Sequence, residues 1–169
     1  MAKTKASTNK NFMQSQNYTF AIDRITTVVY NLQGLDFPGI TLNQAPVYAG
    51  PTAETDPQYP GEKITYDPIT VRALLDENMV GYFEIVDWMR AAAKSPGLPR
   101  LLQPGQRIKE FSDATLIITT NKFNLNIKTK FVNMWPTNIG PINFDYTIGP
   151  DVVPIYDVTF IYHYYTVER

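Results

Sequence analysis

His163 is the only histidine in the chain, and there is no cysteine, so any nucleophile would have to be a hydroxyl. Nucleophilic catalysis needs that hydroxyl beside a base. The four serines, Ser7, Ser15, Ser95 and Ser112, are scattered, and none sits in a G-x-S-x-G elbow. His163 falls in a tyrosine-rich β pattern, where a packed or half-exposed ring is the reading. Asp76, Glu77, Glu84 and Asp87 come closest to a metal or acid–base cluster, with Glu84 and Asp87 neighbours on a helix surface. No histidine joins them, and acids near a helix start already have an electrostatic reason to be there. P-loop, dinucleotide and CxxC patterns do not occur. Lys122, Lys128 and Lys130 near Phe123 and Phe131 sketch a basic, aromatic strand. Strand alternation puts Lys128 and Lys130 on one face and turns Phe131 to the other, which spoils a nucleic-acid platform. The residues therefore predict no catalytic group, no metal ligand and no cofactor, and the chain is read as a non-enzyme.

The elements that would carry such residues are mainly strands. Tyr18, Phe20 and Ile22 alternate with polar positions, and a β-branched run continues to Val28 and Val29. Pro38-Gly39 marks a turn before Ile40 and Leu42. Residues 45–61 are dense in proline and glycine (Pro46, Gly50, Pro51, Pro57, Pro60, Gly61), which predicts a long loop without regular structure. Ile64-Thr65-Tyr66 restarts a strand, Asp67-Pro68 bends it, and Ile69, Val71 and Ala73 share one face. The one convincing helix opens at Asp76-Glu77-Asn78 and runs to about Lys94, with Tyr82, Val86, Met89 and Ala93 on one stripe. Strands follow at Thr115 to Thr120, Leu125 to Phe131 and Ile142 to Ile148. A long terminal strand closes the chain, with Tyr156, Val158, Phe160, Tyr162 and Tyr164 on one face. The expected fold is mainly β: a small sandwich or barrel of six to seven strands with one flanking helix.

At 169 residues there is room for one domain with a real core. Residues 1–16 hold lysines, no acid and only Phe12 and Met13 as sizeable apolar side chains, so they are expected to form a flexible N-terminal arm. Residues 17–169 then form the single β domain. Charged residues are only 18% and aromatics 13%, a balance that suits surfaces covered by other chains. The net charge of −1 gives no global pull toward nucleic acid or membrane, and no stretch approaches the roughly 18 apolar residues of a spanning helix. Charge is uneven all the same. Positions 54–87 carry eight acids against two bases, and positions 88–130 carry eight bases against two acids. Two faces of opposite sign could fix register between copies.

Three stretches are recognisable in this order. They are Pro60-Gly61-Glu62-Lys63 with Tyr66-Asp67-Pro68-Ile69-Thr70-Val71, then Asp76-Glu77 running into Glu84-Ile85-Val86-Asp87-Trp88-Met89, and finally Met134-Trp135-Pro136-Thr137-Asn138-Ile139-Gly140 followed by Ile142-Asn143-Phe144-Asp145-Tyr146. From about residue 17 to the end the chain resembles the tail tube proteins of T4-like contractile phages, a fold shared with proteins that start or finish the tube. The resemblance implies hexameric rings that stack into a conduit, with a sheath outside, a baseplate initiator and a tail terminator at the ends, and DNA passing without specific binding. It also implies a component of the virion tail, assembled in the host cytoplasm and not inserted in a membrane. Chain length points to the repeating subunit, with the initiator or terminator as the alternative. A monomeric β-sandwich gripping a ligand through Tyr48 and Tyr59 is the reading from another class. Inter-subunit contacts are expected from Phe12 and Met13 and from the loop residues Pro46, Tyr48, Pro51, Pro57, Tyr59 and Pro60. Trp88 and Met89 should pack the helix on the sheets, and Trp135 and Pro136 should form a fixed turn before Gly140.

Overall fold

The computed structural model describes residues 12–25, 31–47, 58–94, 111–145 and 152–168. Among them are nine strands and one helix. These are β1 (Tyr18–Ile22), β2 (Leu32–Asp36), β3 (Ile40–Pro46), β4 (Gln58–Tyr66), β5 (Ile69–Leu74), α1 (Val80–Lys94), β6 (Ser112–Thr119), β7 (Leu125–Ile139), β8 (Ile155–Ile161) and β9 (Tyr164–Glu168). Seven strands run in the order β1-β6-β7-β8-β5-β2, with β9 also paired to β7, and β3 and β4 form a separate two-stranded sheet.

The 15-residue β7 organises this arrangement. Its first half pairs with β6 and with β9, and its second half pairs with β8. The change falls at Asn133, whose φ of 53° is left-handed, a region that Asn tolerates better than most residues. There the Asn133 N–H donates to buried Asp113 Oδ1 (3.2 Å), and Lys130 Nζ meets the other carboxylate oxygen at 3.1 Å. Two leaves result, β1-β6-β7-β9 and β7-β8-β5-β2, and they share one core without closing into a barrel. Phe20, Leu116 and Phe131 enter the core from the first leaf, and Ile69, Val71, Val158 and Phe160 from the second.

The helix completes that core. Ile85 and Trp88 are fully buried, and the Trp88 ring lies 6.1 Å from Phe160. Arg24 covers its other side, 5.2 Å from the ring centre. The buried face thus centres on Ile85 and Trp88 and leaves Ala93 exposed, a rotation from the expected stripe. The helix also starts later than the acids suggested. Asp76 to Met79 form a turn, and Asp76 Oδ2 accepts the Val80 N–H at 2.9 Å, so the carboxylate caps the helix from outside.

Four further expectations change. Residues 45–61 are not a continuous loop, because β3 runs through Pro46 and β4 includes Pro60 and Gly61. Both strands are edges, so a missing N–H can face solvent. Trp135 and Pro136 are not a turn: they sit within β7, paired with Ile161 and Phe160, beside a bulge before Asn138. Residues 140–145 carry no strand, although Ile142 packs on the core. The terminal strand is two strands. A break at Tyr162 and His163 flips the alternation, so Tyr165 and not Tyr164 faces inward. β2 was not foreseen, and Val28, Val29, Tyr146 and Ile148 lie outside the described residues.

Candidate functional site

Among the described residues no group of three potential metal-binding side chains exists, and no helix is long and apolar enough to cross a membrane. What stands out instead is apolar surface left uncovered. The β3–β4 hairpin is its clearest instance. No residue of either strand is buried, and Ile40, Leu42, Tyr59 and Ile64 are each about half exposed. Covering the remaining half of such a side chain is worth roughly 1 kcal/mol each. An isolated two-stranded sheet is marginal in water, so this hairpin draws its support from the contacts at its root.

Its root is firmly held. Tyr66 at the end of β4 packs against Tyr162 and Tyr165 at 5.9 and 5.4 Å, and Phe37 just before β3 packs against Phe131 and Tyr165 at 6.4 and 5.7 Å. The Tyr162 hydroxyl donates to the Asp67 carbonyl at 3.1 Å. Burial, helped by Tyr165, Tyr66 and Asp67, raises its pKa, so the hydroxyl stays neutral and remains a donor. Farther out the strands shift register between Leu42 and Gln44. A side chain at Gly61 would come within 2.5 Å of the Asn43 carbonyl oxygen, so that bulge requires glycine. The register at the root is thus fixed by aromatic packing and farther out by a glycine, while the apolar faces stay open.

Two further surfaces are uncovered. A cavity of about 560 Å³ opens at the end of the first leaf, lined by Met13, Tyr18, Phe37, Ile118, Ile127 and Val167. Val80 and Phe83 at the helix start are exposed, as are Val152, Val153 and Ile155; Tyr82 meets Tyr156 edge-on at 5.5 Å, and the Leu75 N–H donates to the Pro154 carbonyl. Burial, reinforced by Asp76 and Glu84, pushes the Tyr156 phenol up to about 12.

The sequence-predicted residues distribute as follows. Pro46, Tyr59 and Pro60 are exposed on the hairpin, whereas Tyr48, Pro51 and Pro57 lie outside the described residues. Phe12 is 91% exposed and Met13 lines the 560 Å³ cavity, so the two are adjacent but differently placed. Trp88 is buried and Met89 half-buried on the core. Trp135 is half-buried between Phe111 and His163, Pro136 is buried, and the Gly140 N–H donates to the Asp157 carbonyl at 2.7 Å. Sequence reasoning missed Ile40, Leu42, Ile64 and Phe83. The alternation of Ile40 and Leu42 was visible, but it reads the same for a buried face and for one awaiting a partner.

The fold is therefore two leaves folded about one bent strand, with a helix packed on their shared core and an exposed hairpin. No known family profile matches the chain. It is 25% identical over 164 residues to the tail tube terminator protein of Enterobacteria phage T4, spanning 94% of this chain and 90% of that one. A chain of the anti-feeding prophage cap, the tube-terminating cap, superposes with a TM-score of 0.67 at 14% identity over 99% of both chains. A chain of the sheath-tube complex of an extracellular contractile injection system, in the extended state, gives 0.65 at 15% identity over 94% and 93%. These structures establish the fold, and the resemblance to T4-like tail tube proteins drawn from the sequence holds.

Proposed function

We propose that the chain is a terminator of a contractile phage tail tube, a hexameric ring that closes the tube's end in the virion and lets DNA pass without binding it specifically. The observation that carries this reading is the end-to-end sequence likeness to the T4 tail tube terminator, 94% of one chain against 90% of the other. The fold's near-complete overlap with a tube-terminating cap supports it further. Physically, the ring closes sheet edges that a lone copy leaves open. The exposed hairpin and the helix-start patch supply apolar area for a neighbouring copy, the tube below and the surrounding sheath. The role is structural, and assembly takes place in the host cytoplasm.

Sedimentation of the purified chain tests the reading. A terminator gives a ring of fixed mass that does not lengthen as concentration rises, and polymers of growing length would contradict it. The repeating subunit is the second reading, favoured by the TM-score of 0.65 to the sheath-tube complex. It predicts those growing polymers. Under either reading, deleting residues 52–58 leaves a folded chain that no longer assembles, and unchanged assembly would remove the hairpin from the account. Truncating residues 1–16 tests the arm in the same way.

A further inference from the structure

The strand path ends on two strands that do not meet. Among the described residues β1 pairs only with β6 and β2 only with β5, so each leaf has an unpaired edge. A slot of about 520 Å³ lies between these edges, lined by Tyr18 to Phe20 of β1 and by the first to the last residue of β2. Its walls are mixed. Phe20 is buried, Leu32 and Leu35 are half-buried, and Gln16, Gln33 and Asp36 are exposed. Through Ser15, Tyr18 and Leu35 the slot adjoins the 560 Å³ cavity described above. An extended segment laid between two unpaired edges gains backbone hydrogen bonds from them. The start of the same chain is led the other way. Asn121 Nδ2 donates to the Phe12 carbonyl at 3.1 Å, which fixes the root of the arm at the turn between β6 and β7. β6 lies on the side of β1 away from the slot, and the Phe12 side chain is 91% exposed there.

We infer that residues 1–11 of one copy enter the slot between β1 and β2 of a second copy as an added strand. The inference rests on the ring reading above, because it needs a neighbouring copy. Length allows it. Eleven extended residues reach about 36 Å, and running alongside the five residues of β2 takes about 17 Å, which leaves about 20 Å to cross between copies. Side-chain pattern supports it as well. As a strand, the segment turns Thr4, Ala6 and Thr8 to one face and Lys3, Lys5 and Ser7 to the other. The first face suits the half-buried leucines, and the second suits water and Asp36. Residues 1–11 carry three lysines and no acid, so Asp36 at the slot favours this occupant by charge.

The absence of native cysteine makes the test clean. One full-length chain carries Thr4→Cys, Ala6→Cys or Thr8→Cys in turn, and a second, size-tagged chain carries Gln33→Cys at an exposed position of β2. The two are mixed, assembled and oxidised. A disulfide-linked heterodimer should form for at least one arm position and should be several-fold more abundant than with Ala91→Cys, an exposed position on α1, in place of Gln33→Cys. Closed rings seen by electron microscopy with no such excess would overturn the strand exchange and leave the ring reading standing. A chain carrying both cysteines that links to itself within the same rings would overturn it too, by placing the arm in its own slot. If sedimentation shows no rings, the ring reading itself has failed, and this inference falls with it. The charge contribution is tested by Asp36→Lys, which should lower the heterodimer yield, and by Lys3→Glu with Lys5→Glu added to the arm, which should recover it. A yield indifferent to both changes would overturn the role given to Asp36.

Discussion

The core and the hairpin of this protein are built from similar residues to opposite ends. In the core, Phe20, Phe131, Phe160 and Trp88 are hidden almost completely, and rings from two leaves and the helix touch one another. In the hairpin, Ile40, Leu42, Tyr59 and Ile64 alternate just as regularly, yet each stays about half exposed among the described residues. The core supplies the stability of the single copy. The hairpin adds little to that burial, and its root is fastened by Tyr66, Phe37 and the Tyr162 hydroxyl. Under the proposed function, folding and assembly draw on separate sets of apolar residues.

Mutations should therefore sort into two groups. The largest effect is expected in the core: Trp88→Ala removes a buried ring and its Phe160 and Arg24 contacts, and should cost about 3–5 kcal/mol in denaturant unfolding. A loss below about 1 kcal/mol would mean that the helix is not part of the core's cohesion. Next comes the bend of β7. Asn133→Ala forces alanine into a left-handed backbone and should cost about 1–2 kcal/mol, with Asn133→Gly recovering the backbone share. Tyr59→Ser with Ile64→Ser should change single-copy stability by no more than about 0.5 kcal/mol. Its effect belongs to assembly, read as ring mass in sedimentation, and a stability loss as large as that of Trp88→Ala would erase the distinction between the two regions.

The smallest effect concerns pH. The Tyr156 phenol is ordinarily near 10 and is pushed up to about 12 in the fold, so the folded state favours the neutral form. The stabilisation is fully present below pH 10 and is lost as pH rises through about 12. Tyr156→Phe should flatten the alkaline limb of the stability profile over that window. A limb unchanged by the substitution would assign it to other groups.

Where burial followed simple alternation, the fold was legible in the sequence. Ile69, Val71 and Ala73, and Tyr156 through Tyr162, all face the core as their spacing says. Alternation failed at the 162–163 break, because that break is set by residues distant in sequence. Asp113 holds the Asn133 N–H, and the His163 N–H reaches the Val132 carbonyl. The prolines misled for a definite reason. Proline excludes a strand only where a neighbour needs its N–H, and Pro46, Pro60 and Pro136 lie in strands with an open side among the described residues. The helix stripe was misplaced because spacing alone cannot show that the Trp88 side meets Phe160 while Ala93 meets water. Of the candidate site, the tyrosines and prolines pointed to the right segment, but burial had to be seen before Ile40 and Ile64 could be told from core residues.

The most direct measurement is end-labelling of tubes. The chain, tagged with gold, would be added to tail tubes whose ends are open and viewed by negative-stain electron microscopy. The account predicts one ring at a single end of each tube and no growth in tube length. Gold distributed along newly extended tubes, or tube ends left bare by a monomeric chain, would contradict it.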